Sequence, residues 1–364
     1  MTDDTDAAAT DRASEVFSAL DETADWQGLG IQVPESICRD PKKIVKHAGL
    51  NWRAEKRECF YRTSAGELKQ ATNREVIVRT DTEEMLSIVS TQRYKVLNRQ
   101  PVDMVESFRD QLAKEKMVIS NVAALRGGAD VVCCAMLPKD FDFRVGPKHK
   151  KKDSDDVIRS YVTLMTGFAG HGTKCLKGTI RIWCYNTLIA ATKQAREMGT
   201  LKTIRASTII ETDTLPKLIE MVASLIEQEK KQFNALANAQ MSDEDVKRYF
   251  ADLLEVDIAD IGKTAKGKDG KEKKLISTKT ENILTLLTDS YTNAPGADPI
   301  KGTAWGALNA VTHYATHRKV VRDTSGGGEQ AARVASNLNG DAARLKLRAL
   351  ELAESYVGRM QVAA

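Results

Sequence analysis

Four groups of residues have types and spacings that chemistry could use. His313 and His317, in His-Tyr-Ala-Thr-His, are four positions apart and would share one helical face. A zinc protease needs Glu at the second position, where Tyr314 stands, and no third ligand lies nearby in the sequence. The pair reads as ordinary helix-surface histidines. Cys175 and His171 are close enough for a histidine to activate a thiolate, but no orienting acid accompanies them. Gly262-Lys263-Thr264 matches the end of a phosphate-binding loop, yet the glycine required five positions earlier is Asp257. Asp81, Asp130 and Asp142 are available to a Mg²⁺-dependent nuclease, but their spacing does not unite them. No catalytic residue, metal or cofactor is assigned. The chain reads as a binding protein more than as an enzyme, with a metal-dependent nuclease as the less favoured alternative.

Cations beside aromatics are a better-supported signal. From Tyr161 to Arg196 the sequence predicts a strand, a basic turn, a second strand, and a helix starting just after Cys184-Tyr185-Asn186-Thr187. Lys174, Lys177 and Arg181 lie on or beside that ribbon, and Lys193 and Arg196 lie on the following helix. Arg93-Tyr94-Lys95 places an aromatic between two cations, as does the looser Arg57…Tyr61-Arg62. Cations neutralise phosphates and aromatics stack on unpaired bases, so Arg93, Tyr94, Lys95, Lys174, Lys177, Arg181 and Lys193 form the candidate set for single-stranded nucleic acid. Lysine clusters at 148–152 and 262–274 would attract phosphate without reading bases. An aromatic content of 5% limits the stacking available.

These residues need elements to position them. A helix over Arg39–Ala48 with Pro41 in its first turn, extended segments at Trp52–Tyr61, Glu75–Arg79, Ser87–Ser90 and Tyr94–Leu97, and a helix over Pro101–Lys116 come first. Val118–Leu125 and Asp130–Leu137 flank the turn Arg126-Gly127-Gly128, and Val157–Met165 and Thr179–Trp183 follow. The predicted fold class is α+β: an antiparallel sheet with flanking helices, then a mainly helical C-terminal region, with the handover near 205–215. Residues 1–25 form an acidic tail, 26–210 the α+β core and 211–364 the helical region, interrupted by a mobile Lys/Gly-rich loop at 262–274. Helices are expected over Thr214–Gln240, from Ser242 to Leu254, over Thr280–Tyr291 and Thr303–Arg318, and from Asp341 to Met360 after the loop Ser325-Gly326-Gly327-Gly328.

Composition bounds the rest. A chain of 364 residues with 42% hydrophobic and 29% charged content has the means to build a large core. No apolar run approaches the ~20 residues of a membrane helix, and no secretory signal is visible, so a cytoplasmic protein without a membrane partner is expected. The six cysteines form no Cys-x-x-Cys pair and read as free thiols, one of Cys133 and Cys134 being core.

Ordered motifs along the chain resemble the phage and plasmid-like proteins of the DUF932 family. They are Trp26-Gln27-Gly28-Leu29-Gly30, Tyr94-Lys95-Val96-Leu97-Asn98, Leu125-Arg126-Gly127-Gly128, Arg181-Ile182-Trp183-Cys184-Tyr185-Asn186-Thr187-Leu188 and Thr303-Ala304-Trp305-Gly306 with Asn309-Ala310-Val311-Thr312. Gln27 departs from the histidine usual at that position. The resemblance implies a mobile element carried in a bacterial host and a part in DNA replication, recombination or host-defence interference. At the level of fold the core is also similar to single-strand annealing proteins of recombination, which implies a homo-oligomer. The leading expectation is non-catalytic binding of single-stranded DNA with strand annealing. The alternative is a structural or interaction module for a phage or host protein.

Overall fold

The computed structural model describes residues 30–91, 100–114, 117–146, 156–168, 173–181, 186–188, 202–204, 214–266, 272–323 and 328–363. The N-terminal half is strand-rich and the C-terminal half mainly helical, as the patterning predicts. Its strands are β1 (Ile31–Gln32), β2 (Ala54–Arg62), β3 (Leu68–Arg79), β4 (Met85–Ser90), β5 (Asn121–Leu125), β6 (Asp130–Met136), β7 (Phe143–Val145), β8 (Asp156–Gly167), β9 (Thr173–Arg181), β10 (Asn186–Leu188) and β11 (Lys202–Ile204). Helices α1 (Pro41–His47) and α2 (Pro101–Lys114) interrupt them. Helices α3 (Thr214–Asn238), α4 (Asp243–Leu253), α5 (Thr278–Asn293), α6 (Ala304–His313), α7 (Gly328–Asn339) and α8 (Asp341–Ala363) follow.

Local chemistry sets several of these boundaries. The Asp40 carboxylate accepts from the backbone N–H groups of Lys42 and Lys43 at 3.0 and 3.2 Å, and Pro41 opens α1. Those bonds, led by Lys43, hold the Asp40 carboxyl below its ordinary pKa. Ser242 and Asp245 cap α4 reciprocally: the Ser242 N–H donates to Oδ2 at 3.0 Å and the Asp245 N–H to Oγ at 3.1 Å.

The main sheet is entirely antiparallel, in the order β1-β5-β6-β8-β9-β10, with β7 also on β8 and β11 also on β9. Strands β6 and β8 are buried on both faces. Met104, Val105, Phe108 and Leu112 of α2 join Val131, Cys133 and Ala135 of β6 and Val162 and Leu164 of β8 in one cluster. Ala331, Val334 and Leu338 of α7 cover Cys134, Met136, Tyr161 and Met165 from the other side. Both Cys133 and Cys134 are therefore core, not one of the two, because successive strand residues face opposite ways and each face has its own helix. Burial raises both thiols, Cys134 to about 12.

Four expectations need correction. Asn186–Leu188 is a strand, not a helix start: Asn186 pairs with Arg181 and Leu188 with Thr179, so ladder bonds take precedence over the capping propensity of Asn and Thr. Part of the 262–274 segment is a hairpin, β12 (Thr264–Lys266) against β13 (Glu272–Lys274). Helix α7 replaces what reads as a plain approach to the last helix. The Thr303–Arg318 segment is α-helical to His313, and Tyr314–Arg318 is a π-helical turn. Among the described residues no helix is long and apolar enough to cross a membrane.

Lys346 is a buried amine, with Nζ donating to Asn337 Oδ1 at 2.6 Å. Desolvation holds its pKa well below the ordinary 10.5. Between the folded value and 10.5 the unfolded chain binds a proton that the folded chain lacks, so stability rises with pH by up to about 1.4 kcal/mol per unit. Lys346→Met is expected to abolish that rise. Urea denaturation of both proteins from pH 7 to 10 checks this, and parallel pH profiles would refute it.

Candidate nucleic-acid interface

Strands β2, β3 and β4 form a separate three-stranded antiparallel sheet. One face docks on the body of the protein: Ala54, Ile77 and Val89 belong to the main core. Trp52 anchors it, 5.7 Å from Phe168 between ring centroids, with the Arg79 guanidinium 4.6 Å over the Trp52 ring. Arg79 Nη1 donates to the Gly127 carbonyl at 2.8 Å, and Ser87 Oγ donates to the Phe168 carbonyl at 2.6 Å. The turn after β5 fits against this anchor because Gly128 has φ +106° and no Cβ; one would lie 2.6 Å from the Trp52 ring.

The other face is open. Phe60 stands opposite Gln70, Arg62 opposite Leu68, Arg57 opposite Val76, Val76 opposite Ile88 and Val78 opposite Met85. The register jumps by three residues of β3 at the bulge, from Glu58 opposite Glu75 to Phe60 opposite Gln70, while β2 runs through without an extra residue. Phe60, Arg62 and Leu68 therefore share the side of Glu58, whose carboxylate accepts from Gln70 Nε2 at 3.0 Å, and Arg57, Arg74, Met85 and Ile88 lie on the other side. Phe60, Leu68, Met85 and Ile88 are 48%, 63%, 61% and 53% exposed, where a folded domain would ordinarily bury such side chains. Arg57 is held by Glu55 at 2.7 Å, with Glu83 at 3.9 Å, and the Glu55 hydrogen bond pushes its pKa up. Arg62 Nη1 donates only to the Gly66 carbonyl, at 2.9 Å, and neither Arg62 nor Arg74 has a carboxylate partner among the described residues. Tyr61, also exposed, stands across from Lys69 on the side opposite Phe60 and Arg62. The β2–β3 turn at Gly66, with φ +85°, leaves the far end of the hairpin exposed on both sides.

The sequence-derived residues are placed as follows. Arg93, Tyr94, Lys95, Lys193 and Arg196 lie outside the described residues, as do His171 and the 148–152 cluster. Lys174, Lys177 and Arg181 are all in β9, so the two lysines belong to the strand and not to a turn before it. Their register divides them: Lys177 and Arg181 stand opposite Val162 and Ile158, while Lys174 stands opposite Met165, which belongs to the other face of the sheet. Arg57, Tyr61 and Arg62 are in the open hairpin. The apolar residues beside them were missed. The signal was available in Phe60, Leu68 and Ile88, but only strand pairing shows that Phe60 and Leu68 share a side with Arg62 and that Ile88 lies on the other.

The other chemical groups are engaged separately. Asp81 is paired with Arg79, Asp130 with Arg126 and Asp142 with Arg159. Three acids each held by a different arginine do not form a two-carboxylate metal site. Among the described residues no group of three or more His, Cys, Asp or Glu could hold a metal. The His313 and His317 rings are tilted by 43° with centroids 5.2 Å apart, and His313 Nδ1 lies 3.0 Å from Ser290 Oγ.

The molecule is an α+β protein with a main antiparallel sheet packed against helices and a small second sheet that exposes apolar residues and arginines. The chain belongs to the DUF932 family, a domain of unknown function, whose model matches residues 85–338. The matched span begins at the first residue of β4, includes most of the main sheet, and ends in α7; β2 and β3 precede it. Neither the curated proteins nor the solved structures provide a match.

Proposed function

We propose that the protein binds single-stranded DNA without catalysing a reaction on it, and that the exposed end of the β2–β3 hairpin is the principal contact. The observation that carries this reading is the register that brings Phe60 and Leu68 beside Arg62, with Arg57, Arg74 and Ile88 exposed on the other side of the small sheet. Exposed bases have apolar faces and a polyanionic backbone, so one surface meets both needs. The candidate residues Arg93, Tyr94 and Lys95 extend the contact: Arg93 follows Ser90, the partner of Arg74, by three residues, a reach of at most about 11 Å. Lys174, Lys177, Arg181 and Lys193 are further phosphate contacts in this proposal. Strand annealing would follow from self-association, which holds several such faces on one scaffold. A protein partner could use the same apolar residues, but two arginines without carboxylate partners among the described residues favour a polyanion.

Fluorescence anisotropy with a labelled oligonucleotide at low salt tests the proposal. Phe60→Ala is expected to weaken binding about 5- to 150-fold, the worth of one stacked base. The double substitution Arg62→Ala with Arg74→Ala is expected to flatten the slope of log affinity against log salt by about 1.4, two phosphate contacts on a single strand. Absence of binding by micromolar protein at low salt would overturn the reading.

A further inference from the structure

The exposed end of the small sheet has two usable sides, and a lone strand can occupy only one of them. Strand β4 pairs with β3 no farther out than Arg74 opposite Ser90, so beyond that point the sheet is a two-stranded ribbon of β2 and β3. Every residue from Phe60 to Arg74 is exposed except Thr63 and Ala71, which are half-buried. Phe60 and Tyr61 are neighbours in β2, so their rings stand on opposite sides of this ribbon, 48% and 53% exposed. Each ring has a cation beside it. On the Phe60 side are Leu68 and Arg62, whose Nη1 bond to the Gly66 carbonyl at 2.9 Å directs the guanidinium toward the turn. On the Tyr61 side are Lys69 directly across, Arg57 and Arg74. Lys69 lies 3.4 Å from Glu67, while Arg74 has no carboxylate partner among the described residues. The turn between the strands is narrow. Thr63-Ser64-Ala65-Gly66 carries no charge, the Thr63 N–H donates to the Glu67 carbonyl at 2.8 Å, and a Cβ at Gly66 would meet nothing within 4 Å.

We infer that this ribbon is a wedge for the junction at which a duplex divides into two single strands. One strand runs along the Phe60 side and its complement along the Tyr61 side, each with a base against a ring and phosphates against the cations, and the uncharged turn abuts the last base pair. The inference rests on the single-strand reading above and names the substrate class of that site. A lone strand stacks on one ring and leaves the other in water. A blunt duplex uses neither, because its bases are already paired and stacked. Only a divided duplex engages both sides at once.

The test uses the 364-residue chain and fluorescence anisotropy at one low salt concentration. The labelled ligands are oligo-dT, a blunt duplex, the same duplex with one dT tail, and the same duplex forked into two dT tails. The fork is expected to bind about 5- to 150-fold more tightly than oligo-dT or the one-tailed duplex, the worth of a second stacked base. Two tails bound independently would give only about 2-fold. Tyr61→Ala is expected to abolish the margin, and Tyr61→Phe, which keeps the ring, to retain it. Tyr61 is exposed, so neither change disturbs the core. If the fork and oligo-dT bind within about 2-fold of each other, or the blunt duplex binds as tightly as the fork, the wedge fails and the single-strand reading holds. If Tyr61→Ala keeps the margin, the second side is not a contact and the wedge fails. If none of the ligands binds, the single-strand reading fails and the wedge with it.

Discussion

Trp305→Ala is expected to remove about 3–5 kcal/mol of unfolding free energy, among the largest losses that a single substitution causes in a core. Trp305 is fully buried, and its ring lies 4.8 Å from Phe233 of α3, tilted 35°. Phe233 in turn lies 6.0 Å from Phe143 of β7. This aromatic run joins the helical region to the main sheet, so the loss falls on the contact between the two halves. The surrounding residues leave little room for collapse. Thr303 caps α6, accepting from the Gly306 N–H at 3.0 Å, Ala304 is buried, and a Cβ at Gly306 would lie 2.4 Å from the Ile300 carbonyl oxygen. The order Thr-Ala-Trp-Gly thus has a separate physical reason at each position: cap, small buried residue, large buried residue, close backbone approach. Guanidinium denaturation read by far-UV circular dichroism measures the loss. A change below about 1 kcal/mol would mean that the aromatic run does not couple the halves.

Elements written in local chemistry were legible, and elements made by distant pairing were not. Asp40-Pro41, Ser242 with Asp245, and Arg126-Gly127-Gly128 each satisfy or reverse the backbone within a few residues, and each marks its boundary in the sequence. Asn186-Thr187 has the same local preference as a helix cap, but β9 supplies hydrogen-bonding partners that no local pattern reveals. Helix α7 was obscured by the glycine run before it and by Gly340, which alone separates it from α8. Missing α7 also hid the cover over the second face of the sheet, and with it the burial of Cys134. The candidate interface divides in the same way. Arg57, Tyr61 and Arg62 were recognisable by type and proximity. Which of them share a side with Phe60 and Leu68, and which with Arg74 and Ile88, depends on two strand registers and a bulge between Glu58 and Phe60, none of which composition specifies.

Asp142→Asn is expected to cost about 3–5 kcal/mol, because it strands a guanidinium in the interior. Arg159 lies on β8 with its side chain 6% exposed, and Asp142, just before β7, is 14% exposed. Nη2 donates to Oδ2 at 2.8 Å, and Nε lies 3.2 and 3.3 Å from the two carboxylate oxygens. The geometry nearly satisfies the acid from one side, but attraction in a buried pair is largely offset by the desolvation of both ions. Removing one ion keeps the desolvation cost of the other and loses the attraction. Removing both takes away cost and attraction together. Asp142→Leu with Arg159→Met is therefore expected to recover most of the loss, and the coupling energy from the four proteins should be large compared with either net change. Chemical denaturation at neutral pH provides all four corners. If the double variant is as unstable as Asp142→Asn, the pair contributes by packing around the β7–β8 junction and not by charge. If Asp142→Asn is nearly neutral, water must reach Arg159, and the junction is more open than its burial implies. The outcome also bears on the unassigned acids of the sequence. An Asp142 tied this firmly to Arg159 is committed to the fold and is not free to ligate a catalytic ion.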